Sequence, residues 1–226
     1  MMHDDRSTQA RQADILRAAA ALAKSELEHE GSGHDWWHIH RVTELAKRIA
    51  AAEKADLFIC ELAALLHDLA DEKLVDDPET GMKRTESWML ENGATAEEAA
   101  HVMEIISTLS FKGGAGKPMT TLEGKVVQDA DRLDAIGAIG IARTFVYSGK
   151  KGRPMYDPNI PVRREMTPEE YRNGKDTAIN HFHEKLLKLK DLLNTDSGLA
   201  IAEQRHAFME EFLERFDREW NGTDGL

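Results

Sequence analysis

Three separated segments of the sequence combine histidine with aspartate, the side chains that bind borderline divalent metals. They read HDWWHIHRV at 34–42, LLHDLADEK at 65–73 and QDADRLDAIG at 128–137. Imidazole nitrogens with carboxylate oxygens suit Mn²⁺, Fe²⁺, Co²⁺, Ni²⁺ or Zn²⁺, whereas an all-oxygen site suits Mg²⁺ or Ca²⁺. A bound ion with an open position acidifies water and withdraws charge from a phosphoryl oxygen. These residue types therefore indicate metal-assisted hydrolysis of a phosphate ester or anhydride.

The doublet His67-Asp68 stands near the end of a stretch, 57–69, that is apolar on nearly every side. Burying two polar side chains is costly without a partner, and a metal ion supplies one for both. We therefore favour metal binding for this doublet. For the other isolated histidines a surface or satisfied core position is the favoured interpretation; they are His3, His29, His183 and His206.

The order of a histidine, a His-Asp doublet on a buried helix and an aspartate on a later helix resembles the HD superfamily of metal-dependent phosphohydrolases. The resemblance covers about residues 20–150, and the HDxxHxxRV form is similar to some bacterial nucleotide pyrophosphohydrolases. It implies one divalent transition metal, with Mg²⁺ as an alternative to the ions named above. It also implies four ligands, which are His38, His67, Asp68 and Asp131.

Acidic residues near this ligand set are candidates for proton transfer. The resemblance implies a catalytic carboxylate four or five residues after His67, where Asp71 and Glu72 stand. Which of the two acts is open, and both could instead be exposed charges at a helix end. Asp134 shares a helix face with Asp131 and could orient a ligand histidine or water, the alternative being a solvated helix charge.

Binding a phosphorylated substrate requires cations and polar groups beside the metal. The candidates, close in sequence to the ligands or in a Gly-rich loop, are His34, Asp35, Arg41, Lys73, Lys112 and Lys117. The loop FKGGAGKP at 111–118 lacks the spacing of a phosphate-binding P-loop and follows no strand, so a nucleoside triphosphatase of that fold is rejected. Trp37 is expected in the core rather than as a base-stacking platform.

Three functions are compatible with these residues. The favoured one is hydrolysis of a nucleotide or another small phosphorylated metabolite. The second is a di-iron oxygenase, in which His34, His101 or His181 would complete a second metal site. The third is a regulatory module that keeps the metal without turnover. Metal stoichiometry and oxygen consumption distinguish the first two.

The composition of the chain limits the classes of molecule that it is expected to bind. The chain has 226 residues and a formal charge of -12, which repels duplex nucleic acid but leaves small anions able to enter a locally positive cleft. A single cysteine, Cys60, in an apolar stretch is expected to be a buried thiol in a reducing compartment. Neither a signal peptide nor a membrane span is evident, so cytoplasmic residence is expected.

Helices must position these residues, because apolar side chains recur at intervals of three and four and no stretch alternates as a strand does. The predicted fold is all-α: one HD-type bundle spanning 1–226, with its motif core at about 20–150 and extra C-terminal helices at about 167–220. Irregular loops are expected at 111–118 and 149–166. The predicted helices are 11–29, 36–53, 57–69, 80–91, 95–108, 122–147, 168–193 and 197–220.

Overall fold

The computed structural model describes residues 2–28, 33–70, 77–109, 118–163, 174 and 176–225. Over these residues it is helical and without strands, so the predicted all-α class is confirmed. The helices are α1 (Met2–Leu27), α2 (Trp36–Glu53), α3 (Leu57–Leu66), α4 (Pro78–Glu91), α5 (Ala96–Leu109), α6 (Leu122–Asp134), α7 (Gly137–Lys150), α8 (Ala178–Glu184) and α9 (Asp196–Asn221). The described residues also form three short 3₁₀ turns, which are His67–Ala70, Leu186–Lys188 and Lys190–Leu192.

The chain divides into two compact units, residues 1–130 and 131–226. In the first unit α3 packs against α1, α2 and α5, and α4 packs against α5. Helix α3 is suited to this central place because its side chains from Phe58 to Leu66 are buried, apart from the half-buried Glu61. The predicted helix that is apolar on nearly every side and lies in the middle of a bundle is therefore confirmed.

Capping residues fix where these helices begin. Asp56 accepts a hydrogen bond from the backbone N–H of Ile59 at 3.1 Å, which satisfies one of the free donors in the first turn of α3. Ahead of α5, Thr95 and Glu98 exchange the two hydrogen bonds of a capping box, as the sequence predicts. Residues next to each helix therefore determine where α3 and α5 begin.

Glu98 also ties α5 to α1. Both of its carboxylate oxygens accept hydrogen bonds from the Arg11 guanidinium, at 2.8 and 2.7 Å, and Gln12 adds a third at 3.2 Å. The hydrogen bonds from Arg11 outweigh partial burial and lower the pKa of Glu98 to about 2. This bidentate pair is a scaffold contact of the first unit.

In the second unit α7 packs against α8 and α9. An aromatic cluster joins the three helices: the ring centroids of Phe145, Phe182 and Phe212 lie 5.8 to 6.3 Å apart. Beside it, Tyr156 meets Trp220 edge to face at 4.9 Å. Rings at such distances and tilts contribute beyond their buried area, so this cluster helps to hold the three helices of the second unit together.

The sequence predicted one helix over 122–147, and this is wrong: the chain turns between α6 and α7. Hydrogen bonds from Ala135 to Arg132 and from Ile136 to Leu133 tighten the end of α6. Gly137 then adopts φ of +74°, a conformation that side chains other than glycine rarely take. The break separates Asp131 and Asp134, which close α6, from the start of α7.

Other boundaries differ for local reasons. Helix α1 begins at Met2 rather than at residue 11, and α3 ends at Leu66 because the chain tightens into a 3₁₀ turn at His67. The long helix predicted over 168–193 is wrong, because the described part contains only the short α8 and two 3₁₀ turns. The loop predicted at 149–166 is irregular between the end of α7 and residue 163, and its remainder lies outside the described residues.

Candidate metal centre

The first turn of α2 sets the position of His38. Asp35 is the N-cap, and its Oδ1 accepts a hydrogen bond from the backbone N–H of His38 at 2.9 Å. Ile39 and Val42 are fully buried on the same side of the helix, and His38 itself is 1% exposed. The predicted ligand is therefore held inside the first unit by a cap and by the apolar face of its helix.

His67 sits where α3 passes into the 3₁₀ turn. Its Nδ1 lies 2.8 Å from the backbone oxygen of Ala64, and only an Nδ1–H can donate to that carbonyl. When the ring is neutral, its lone pair is therefore on Nε2. This hydrogen bond fixes the tautomer and the ring orientation, as is usual for histidines that bind metals.

Asp68 lies between the two predicted imidazole ligands. Its Oδ2 is 3.4 Å from Nε2 of His38, and its Oδ1 is 3.4 Å from Nε2 of His67. Two atoms that each bind one ion at about 2.1 Å are separated by about 3.0–3.5 Å, so both distances suit a shared ion. The side chains present therefore fit the divalent metal that the sequence implies.

His34 contacts the other side of Asp68. Its Nδ1 is 2.8 Å from Oδ2 of Asp68, and the ligand atoms of His34, His38 and Asp68 all lie within 4.8 Å of one another. Burial of Asp68 opposes its ionisation, but in the metal-free site positive charge on protonated His67, the hydrogen bond from His34 and positive charge on protonated His34 and His38 hold the pKa of Asp68 well below its usual range. The carboxylate is therefore ionised and accepts the hydrogen bond.

The remaining predicted ligand, Asp131, lies on α6 as the first residue of the second unit. The preceding residue in the same helix, Ala130, is fully buried and is the last of the first unit. Asp134 closes α6; it is 1% exposed, and its Oδ2 accepts a hydrogen bond from Arg143 at 2.6 Å. The ligand role of Asp131 and the orienting role of Asp134 stay predictions.

Some of the predicted substrate-binding residues lie among the described residues, and others lie outside them. Asp35 serves as the cap of α2, Arg41 lies half-buried on that helix, and His34 is engaged with Asp68. Trp37 is 61% exposed, so the expectation that it belongs to the core is wrong. The predicted catalytic and phosphate-binding residues outside the described part are Asp71, Glu72, Lys73, Lys112 and Lys117.

Two histidines considered for a second iron site lie in other surroundings. His101 Nε2 is 3.6 Å from Glu123 of the same unit. His181 belongs to the second unit, where burial and then the charges of Lys185 and Arg153 lower its pKa to about 3. Among the described residues neither belongs to a group of three potential metal ligands. His34, the third histidine considered for that site, lies beside Asp68.

Cys60 is a buried core thiol, as expected. It is fully enclosed in α3, and burial together with the charges of Glu123 and Asp56 raises its pKa to about 12. A thiol with that pKa is protonated at neutral pH and is a poor nucleophile. Metal or thiolate chemistry at Cys60 is therefore not indicated.

Sequence reasoning missed two contacts of these residues. It named His34 for substrate or a second metal, but not as the hydrogen-bond partner of Asp68, and it did not name Arg143 as the partner of Asp134. Both partners come from other elements of the same unit, and no spacing in the sequence signals either contact.

Across the described residues, no helix combines the length and apolar character needed to cross a bilayer.

Comparisons with known proteins identify the family of this chain. The model of the HD domain family matches residues 36–136. The Bacillus subtilis protein YpgQ is 42% identical over 216 residues, which cover 95% of this chain and 96% of YpgQ. A crystal structure of YpgQ in complex with ADP has a TM-score of 0.75 and covers 92% of this chain and 100% of that chain, at 40% identity.

Two further crystal structures are similar over almost their whole length. One, from Lactobacillus plantarum, has a TM-score of 0.81 at 44% identity and covers 92% of this chain and 97% of its own. The other, an HD-superfamily hydrolase from Bacillus thuringiensis, has a TM-score of 0.75 at 47% identity and covers 93% of this chain and 98% of its own. This chain belongs to the HD superfamily, and it groups histidines and an aspartate that could hold a metal ion.

Proposed function

We propose that this protein hydrolyses a phosphoester or phosphoanhydride bond of a nucleotide, with one divalent ion held by His38, His67, Asp68 and Asp131. The observation that carries the proposal is the placement of Asp68, whose two oxygens each lie 3.4 Å from an Nε2 atom of a buried histidine. The similarity to an HD-superfamily hydrolase supports the hydrolytic class.

The chain's own residues prepare the site for an ion. His67 presents a lone pair on Nε2 because its Nδ1–H is engaged by Ala64. Asp68 supplies negative charge, because its pKa lies well below the usual range. When bound, a divalent ion would lower the pKa of water and draw charge from a phosphoryl oxygen. Mn²⁺ is the ion we propose first, because two nitrogens with two carboxylates suit it better than Mg²⁺.

A nucleotide is the proposed substrate because YpgQ, which is 42% identical over 95% of this chain, crystallised with ADP. The net charge of -12 disfavours a duplex partner but permits a small anion at a local cation. Proton transfer is assigned by proposal to Asp71 or Glu72, with Asp134 as an orienting carboxylate. The residues that we propose to contact the substrate are His34, Asp35, Arg41, Lys73, Lys112 and Lys117.

We propose the cytoplasm as the compartment, since nucleotides are abundant there.

The test offers the purified protein nucleoside mono-, di- and triphosphates with Mn²⁺, Co²⁺, Zn²⁺ or Mg²⁺ under anaerobic conditions. We expect release of phosphate or pyrophosphate, and pyrophosphate would identify cleavage inside the polyphosphate chain. The matched controls are Asp68→Asn, which should be inactive, and His40→Asn, which alters an exposed histidine of α2, the helix that carries His38, and should retain activity.

Two results would overturn the hydrolase proposal. Metal binding without product from any nucleotide would favour the regulatory module. Binding of two irons with consumption of oxygen would favour the oxygenase, for which the one supporting observation is His34 beside Asp68.

A further inference from the structure

His34 and Asp68 form a direct hydrogen bond inside the first unit. The 2.8 Å between Nδ1 of His34 and Oδ2 of Asp68 is the usual length of a charge-assisted N–H···O bond. It is shorter than the about 3.0–3.5 Å that separates two atoms bound to one ion. The other two imidazoles stand farther from the carboxylate, each with Nε2 at 3.4 Å.

This hydrogen bond joins an imidazole nitrogen to a carboxylate oxygen. The carboxylate oxygen accepts, so Nδ1 of His34 carries the hydrogen. Asp68 is 3% exposed and lies in a 3₁₀ turn, where its rotamer is set by what surrounds it. His34 stands just ahead of the cap of α2, and its side chain is 21% exposed. It therefore reaches Asp68 from the solvent side.

We propose that His34 is a positioning residue of the metal centre. Its Nδ1–H holds Oδ2 of Asp68 so that the carboxylate stays turned between His38 and His67, and His34 does not bind the ion itself. The inference rests on the proposed metal site. Partners that orient a ligand in this way typically contribute about 10- to 100-fold to metal affinity.

The experiment measures Mn²⁺ affinity and stoichiometry by calorimetry on wild type, His34→Ala, His34→Asn and His40→Asn. We expect one ion in all four. His34→Ala should bind Mn²⁺ about 10- to 100-fold more weakly. His34→Asn should recover much of this loss, because an asparagine Nδ2–H occupies nearly the position of histidine Nδ1–H. His40→Asn should match wild type, and thermal melting of each metal-free protein checks that it is folded.

Each alternative result has its own meaning. Equal affinity in wild type and both His34 variants would overturn the positioning role while leaving the metal site intact. A stoichiometry of two that falls to one in both His34 variants would overturn it in favour of a ligand role at a second ion. A folded wild-type protein that binds no divalent ion would overturn the proposed function and this inference together. If His34→Ala does not fold, unchanged Mn²⁺ affinity in a folded His34→Asn still shows that His34 is not a ligand of the ion.

Discussion

Two buried carboxylate clusters, one in each unit, show how the surroundings of an acid decide what it can do. In the first unit Asp68 is surrounded by three imidazoles, those of His34, His38 and His67. In the second unit Glu184 accepts three hydrogen bonds from Arg163, two from its guanidinium and one from its backbone N–H, at 2.6 to 2.9 Å. Both acids are buried, but their partners differ in kind.

The partners of the second cluster are permanent cations. Arg153 donates to Asp176 at 2.8 Å, and Arg163 lies 3.6 Å from the same carboxylate. Arginine stays protonated and offers no lone pair, so the two carboxylates of this cluster are already paired and its cations offer a divalent ion no ligand. Imidazole can instead stay neutral and donate a lone pair to a metal. The difference favours the first cluster as the proposed metal centre and the second as a structural ion-pair network.

The largest expected effect comes from the acid of the first cluster. Asp68→Asn keeps the size of the side chain but removes its charge, so Mn²⁺ affinity should fall by more than about 100-fold, beyond the range of a supporting partner. Hydrolysis should be lost with it, because the ion then lacks a ligand. Calorimetry and the nucleotide assay measure both. Mn²⁺ affinity near that of wild type in this variant would contradict the proposal that the first cluster binds the ion.

The second cluster should respond in stability and not in metal binding. Arg163→Met leaves the buried Glu184 without its guanidinium, which should cost about 3 kcal/mol of unfolding free energy. Chemical denaturation measures this cost, and calorimetry should show unchanged Mn²⁺ affinity. The double change Arg163→Met with Glu184→Leu should recover part of the loss, because an apolar pair carries no unpaired charge. A fall in metal affinity matching that of Asp68→Asn would contradict the assignment.

A smaller effect is expected at the scaffold pair Arg11–Glu98. The folded-state pKa of Glu98 is about 2, below an unfolded value of about 4.3. Glu98 therefore adds stability above the unfolded pKa and loses this contribution as the pH falls from about 5 to 2. Glu98→Gln should cost about 1–2 kcal/mol at pH 7 and progressively less toward pH 2. Denaturation of both metal-free proteins across this range measures it, and a constant difference would refute the linkage.

The sequence predicts best where neighbouring residues decide the structure. Helix α2 spans the predicted residues 36–53, because Asp35 caps its start and an apolar stripe marks its buried face. The capping box of α5 is likewise local. The resemblance to the HD superfamily predicts the two imidazoles and Asp68 as ligands, and the fold places them together in the first unit.

The sequence predicts less well where distant residues or single backbone angles decide. The turn after α6 depends on the positive φ of Gly137, which in the sequence is one glycine within a helical pattern. The contact of His34 with Asp68 joins residues 34 positions apart, so no helical period reveals it. Exposure of Trp37 was misjudged because an aromatic residue beside buried neighbours is usually expected in the core.

The most direct test is an anomalous diffraction map of Mn²⁺-loaded crystals recorded near the manganese edge. The proposed metal site predicts one peak at about 2.0–2.3 Å from Nε2 of His38, Nε2 of His67 and a carboxylate oxygen of Asp68, with Asp131 as the fourth protein ligand. A single strong peak elsewhere, or a coordination sphere without His67 and Asp68, would contradict it.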